Sequence, residues 1–186
     1  MRFAKVSQTA FDEFQLEAGL ILTKFNPESP DDVADEDIVC ATTGGVQITC
    51  KPTYTDYGED VDNVPANMIE LKEVDGWECS ISFTALTVSA KSIAMSLGAA
   101  DVNGNKITPL ANRGDYDGCS EVWWVGDRAD GGLVACKLHN ALSTDGLSLK
   151  TTKKGKGQLS CTLTGHTSID AQDVVPMEFY VMEGGN

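Results

Sequence analysis

The chain has 186 residues, with 14 Lys plus Arg against 28 Asp plus Glu and a formal charge of −14, a length that suits one domain of roughly 100–200 residues. That charge argues against a surface that grips nucleic acid by displacing counterions from phosphates, which needs clustered cations. A hydrophobic share of 41% and a charged share of 23% exclude a disordered chain, and no stretch approaches the roughly 18 apolar residues of a membrane-spanning helix.

In chain order, Met1–Ala10 has two cations but no apolar run of the length that a secretory signal needs, so residues 1–18 read as an N-terminal arm and the chain is expected to be soluble. A strand is predicted at Gly19–Phe25. Glu28–Asp37 then places six acids in ten residues, with Pro27 and Pro30 forbidding a regular element at its start. Residues 26–38 are therefore expected to form a solvated acidic loop. Val46–Thr55 alternates Val46, Ile48, Cys50 and Tyr54 with Gln47, Thr49, Lys51, Thr53 and Thr55, the period of a half-buried strand, and Pro52 suits an edge or a bulge. Trp77–Ala85 sets Trp77, Cys79, Ile81 and Phe83 against Ser80, Ser82 and Thr84.

One helix is predicted. Ser89 can cap it, Ala90, Ile93, Ala94 and Leu97 recur at helical spacing, and Gly98 supplies the stop. Asp101–Asn105 resembles the start of a calcium loop, but Lys106 and Asn112 stand where that loop needs Gly and Glu. Asn103-Gly104 reads instead as a hairpin turn before a strand at Lys106–Leu110. Further strands follow at Glu121–Gly126, Gly132–Leu138, Gly146–Lys150, Gln158–Thr164 and Glu178–Met182. Trp123 and Trp124 adjoin on a strand and so point to opposite faces, one toward the core and one toward an interface. Four cations in Lys150–Lys156 form a basic hairpin at 150–157. The fold class is mainly β, with one flanking helix and no linker that divides the chain.

Charge is uneven: residues 1–75 hold 16 acids and 5 bases, a net of −11, and the remainder carries −3. Local traces of catalysis are missing. There is no nucleophile elbow, P-loop or dinucleotide fingerprint, and His139 and His166 read as structural residues near strand ends. Cys40, Cys50, Cys79, Cys119, Cys136 and Cys161 include no C-x-x-C pair and read as small thiols in a reducing compartment. No catalytic, cofactor or metal residue is assigned.

Several segments resemble one family. Phe11-Asp-Glu-Phe-Gln-Leu-Glu-Ala-Gly-Leu-Ile-Leu22, followed by Lys24-Phe-Asn-Pro27, is similar to the opening of the major tail proteins, or tail tube proteins, of bacteriophages with long non-contractile tails. Ala41–Thr49 with the acidic 56–63 loop, the Thr87–Ala99 helix, Val125–Gly132, and Leu138–Leu147 leading to Lys153–Gly157 and Gly165–Asp173 are similar to later parts of that family in order and spacing. The resemblance implies a β-sandwich or partly closed β-barrel that assembles into hexameric rings, stacked as a conduit for genome delivery. It implies no enzyme activity and no cofactor. Its partners would be further copies of itself, a tape-measure protein, and tail tip and tail terminator proteins, with DNA passing through the lumen unbound and no membrane involved. The location would be the virion tail, assembled in the host cytoplasm, and the chain would lack the C-terminal immunoglobulin-like domain found in some relatives.

Within this reading the acidic loop of one subunit, with Asp31, Asp32, Asp35, Glu36 and Asp37, is expected to approach the basic hairpin of a neighbour, with Lys150, Lys153, Lys154 and Lys156. The hydroxyl-rich strand faces are candidates for the lumen wall. Two other readings stand beside it: a carbohydrate- or host-binding β-sandwich, and an enzyme whose site is gathered from distant residues.

Overall fold

A computed structural model describes residues 5–111 and 120–184; Cys119, Asn112 and the first four residues of the arm lie outside them. Among the described residues, ten strands and one α-helix follow in order: β1 (Gln15–Leu22), β2 (Thr42–Asp56), β3 (Lys72–Ala85), α1 (Ala90–Leu97), β4 (Ala100–Asn103), β5 (Lys106–Pro109), β6 (Ser120–Arg128), β7 (Leu133–Ser143), β8 (Ser148–Lys150), β9 (Gln158–Thr164) and β10 (Met177–Met182). All the pairings are antiparallel. The main sheet runs β1-β6-β7-β9-β3-β2, with β10 added beside β7 and β8 beside β9, while β4 and β5 form a separate hairpin. The protein is mainly β, as its strand-period alternation predicts.

The sheet turns a corner within β7. From Leu133 to Leu138 this strand lies between β6 and β10, but its end, Leu142 and Ser143, pairs with Leu163 and Thr164 of β9. Between these stretches Asn140 has φ +46°, in the left-handed region that few side chains tolerate. Its Nδ2 donates to the His166 carbonyl at 2.9 Å, and the β6 register slips opposite it between Ser120 and Val122. A strand that changes partners at such a kink is how one sheet folds over itself. His139 and His166 sit at this corner, His139 inside the strand rather than near its end.

The two half-sheets enclose one core, with Ile81, Leu138, Leu159, Leu163, Val122 and Cys136 each no more than 1% exposed. At the other corner, Val39 N–H donates to the Ile21 carbonyl and Thr23 N–H to the Asp37 carbonyl, both at 2.9 Å. The chain thus runs beside β1 before it enters β2. In β1 itself, Gly19 has φ +71°, and a Cβ there would collide with the Val125 carbonyl and the Trp124 indole.

Several expectations need correction. The first strand begins at Gln15, inside the stretch expected to be an arm, because it pairs with Arg128 there. Helix α1 has the expected ends, with Ser89 accepting from Ser92 N–H in a capping box and Gly98 at φ +73°. Its buried face, however, is Ser92 and Ser96 rather than Ala90, Ile93, Ala94 and Leu97, and Met95 adds to the core. Small side chains let the helix lie close to the sheet. The β4–β5 turn has Gly104 and Asn105 at its centre, one residue later than expected, since Asn103 pairs with Lys106; Gly104 at φ +60° suits the first central position of a type II′ turn.

The outer half of the β2–β3 hairpin corrects the alternation reading. β9 accompanies β3 only from Ser80 to Ala85, whereas β2 stays paired with β3 as far as Asp56 and Lys72. Beyond Cys50 and Cys79 the hairpin therefore continues as a two-stranded ribbon. Tyr54 and Trp77, which the alternation places on the apolar faces of their strands, are 55% and 41% exposed there. Pro52 lies in β2, a terminal strand of the sheet, the position in a sheet where proline is tolerated.

Candidate functional site

Pairing places the three hydroxyl-rich strand faces side by side. Thr49 stands opposite Ser80 and Ser80 opposite Thr164; Gln47, Ser82 and Thr162 form the next row, followed by Thr84, Ser160 and Ser148. None of these residues is buried, and no charged residue falls within the three rows. Ser82 Oγ donates to Thr162 Oγ1 at 3.3 Å, and the Thr144 and Thr164 hydroxyls lie 3.5 Å apart. At one end, Gly44 and Gly45 (φ +78° and +84°) form a bulge over an open depression of about 390 Å³ lined by Thr43, Gln47, Ser82, Thr84, Ser160 and Thr162. This half-sheet ends in β2 on one side and in β8 on the other, and among the described residues neither has a second strand partner.

The outer face of the other half, over β6, β7 and β10, is built differently. Trp123 is 4% exposed and packs edge-on against Phe25 and at a tilt against Tyr180, with ring centroids 5.5 Å apart in each pair. Val33 and Ile38 from the acidic loop close over the same cluster. The tryptophan expected at an interface is thus covered by the chain's own loop. Charged groups surround it: Lys137 Nζ lies 5.3 Å from the Trp123 ring and 2.6 Å from Glu121 Oε1, and His139 Nε2 lies 2.9 Å from Glu178 Oε1. Hydrogen bonds from Tyr180, then from His139, hold the Glu178 carboxyl below its usual range.

The acidic loop is consequently only partly solvated. Asp31, Asp32, Asp35 and Glu36 are exposed, but Asp37 is half-buried. Asp35–Asp37 forms one 3₁₀ turn, and Lys91 Nζ of α1 donates to the Glu36 carbonyl at 2.7 Å. Lys150 ends β8 opposite Gln158, and Lys153, Lys154 and Lys156 are exposed in the turn that follows. Within one subunit, among the described residues, no ion pair joins this loop to this hairpin. The two are separate surface features.

Residue types alone gave no notice of a third feature. Arg128 Nη2 lies 2.8 Å from Asp130 Oδ2, and the Gly132 N–H donates to Asp130 Oδ1 at 2.9 Å. The Gly132 and Gly184 backbone N–H groups, with Arg128, hold the Asp130 carboxyl below its usual value, which ties the β6–β7 turn to the segment after β10. The Val125–Gly132 block contains both charges, but only the return of residue 184 makes them a lock. No protein-family model matches the chain, and no curated protein matches it either.

Proposed function

We propose that this chain is a tail tube protein of a bacteriophage with a long non-contractile tail: a structural subunit that forms hexameric rings and stacks them into a conduit for the genome. The observation that carries the reading is a hydroxyl face, free of charge over three rows, on a half-sheet whose two edges, β2 and β8, have no second strand partner among the described residues. An unpaired edge offers its N–H and C=O groups to another strand. If β8 of one subunit meets β2 of the next, six copies join their half-sheets into a barrel with the hydroxyls inward. The strip at 37–39 would complete a partly closed barrel within each subunit. A wall that carries water on Ser and Thr, in a molecule of net charge −14, would let phosphates pass without holding them.

Stacking is a heterologous contact that does not close on itself, which is how a filament grows. In this reading Asp31, Asp32, Asp35, Glu36 and Asp37 of one subunit face Lys150, Lys153, Lys154 and Lys156 of another, and screened pairs worth about 0–1 kcal/mol each supply register more than affinity. The tube would enclose a tape-measure protein and end at tip and terminator proteins. Negative-stain microscopy of the purified protein tests the reading: tubes or six-fold rings of uniform width are expected. A monodisperse monomer that binds glycan would overturn it in favour of a carbohydrate-binding module. Lys153→Glu with Lys154→Glu should impair tube formation, and Asp→Lys changes in the loop should partly restore it; normal tubes from the reversed protein alone would exclude the loop–hairpin contact.

A further inference from the structure

Cys50 and Cys79 are direct cross-strand partners on β2 and β3, and their sulfurs lie 3.5 Å apart as free thiols. Directly opposed residues of an antiparallel pair have Cα atoms about 4.5–5.5 Å apart, and a disulfide spans Cα atoms about 4.4–6.8 Å apart, so a bond needs side-chain rotation and little backbone movement. The pair also stands at a particular place. Ser80 is the last residue of β3 that pairs with β9, and the Cys79 carbonyl accepts from Gly165 N–H at 2.9 Å. One residue further out the hairpin leaves the sheet and becomes the ribbon. Cys50 is half-buried and Cys79 is 1% exposed, so Cys50 is the more accessible residue of the pair.

We infer that Cys50 and Cys79 are an oxidation site, a dithiol that a small disulfide of the glutathione class converts to a cross-strand bond at the root of the ribbon. The Cys50 thiolate attacks one sulfur of oxidised glutathione, the reagent's S–S bond breaks, and one glutathione thiolate leaves. Cys79 then gives up its proton and attacks the Cys50 sulfur, and the second glutathione thiolate departs. Two protein thiols lose two electrons and two protons, and the reagent gains both as two molecules of glutathione. Burial, then the Cys50 thiol beside it, pushes the Cys79 thiol up to about 12, which makes Cys79 a poor first nucleophile and a resolving thiol that acts once Cys50 is activated. Cys136 is the nearby competitor. It is fully buried, on β7 in the opposite half-sheet, and burial holds its thiol at about 12 as well.

The bond would staple the last point at which the hairpin is held by the body of the sheet, so that the ribbon can no longer fray inward. The test uses the full chain under native conditions with oxidised glutathione, followed by an acid quench, denaturation, alkylation and peptide mapping. Alkylatable thiols should fall from the six of the sequence to four, with the Cys50 and Cys79 peptides linked and the chain lighter by two hydrogens. Hydrogen exchange at residues 51–56 and 72–78 should slow after oxidation and recover on reduction. Cys50→Ser should give no bridge. Six alkylatable thiols after treatment, a lasting glutathione adduct on Cys50, or a bridge to Cys136 would each overturn the assignment.

Discussion

The two outer faces of the one folded sheet have been treated in opposite ways. Over β6, β7 and β10 the chain returns to cover its own surface: Phe25, Val33 and Ile38 close on Trp123, and the Lys137–Glu121 ion pair and the hydrogen-bonded His139 and Glu178 ring it. Over β2, β3 and β9 none of the described residues returns, and hydroxyls stand open in rows. A face that shields apolar area must be paired within the subunit to be stable, whereas a face of Ser and Thr stays in water at little cost. The first is architecture. The second is free to meet water, a neighbour or whatever passes it.

The comparison breaks most readily at Trp123. Trp123→Ala should cost about 3–5 kcal/mol of stability, as for large aromatic deletions in cores; a urea midpoint near that of the wild type would mean the face is not a second core. Backbone strain comes next. Gly19→Ala puts a Cβ against the Val125 carbonyl and the Trp124 indole at a positive φ, and a loss of about 1–3 kcal/mol is expected in thermal or urea unfolding. Ser89→Ala removes the α1 cap and should cost about 1 kcal/mol, seen as faster amide exchange in the first helical turn.

What was legible follows from how far each signal reaches. The α1 ends were readable because a cap is local: Ser89 and Ser92 lie three residues apart, and Gly98 ends the helix with its own φ. The face it buries depends on the sheet beneath, where Ser96 meets Cys161, and periodicity in α1 favoured the apolar stripe instead. The Gln158–Thr164 strand was read with its bounds and both faces, since its period of two persists through a fully flanked strand. Tyr54 and Trp77 carry the same period past the point where β9 stops, and nothing in β2 or β3 marks that point. Six acids at 28–37 concealed Val33 and Ile38, whose target, Trp123, is some 90 residues away in sequence. The hydroxyl faces were visible strand by strand, but their adjacency, and that of Cys50 to Cys79, depends on a register that the long 57–71 connection does not specify.

Acid should sharpen the contrast, because Glu178 and its hydrogen-bond donors lie on the covered face. The Glu178 carboxyl is held below its ordinary value of 4.5 by hydrogen bonds from Tyr180 and then His139. A depressed folded value means that its contribution is complete above about pH 4.5 and is lost as pH falls through the lower folded value. Glu178→Gln should therefore be less stable than the wild type near neutrality, by a modest amount because the side chain is 43% exposed, and the gap should close on acidification. A gap that stays constant with pH would show that the effect is packing rather than charge.

The smallest expected effect on stability tests the bare face most directly. Ser82 sits in the middle row, between Gln47 and Thr162, with its hydroxyl bonded to Thr162 Oγ1. Ser82→Lys should leave the free energy of urea unfolding within about 0.5 kcal/mol of the wild type, as surface changes usually do. If this face lines a tube, the same change places one cation per subunit on the wall. Tubes of the variant should then retain DNA, with affinity falling steeply as salt rises because each phosphate contact releases counterions, while wild-type tubes retain none. A variant that is equally stable, assembles, and retains no more DNA than the wild type would put the hydroxyl face on the outside of the assembly. A variant that is clearly destabilised would mean that something in the subunit already rests on the face, and the contrast with the Trp123 side would fail.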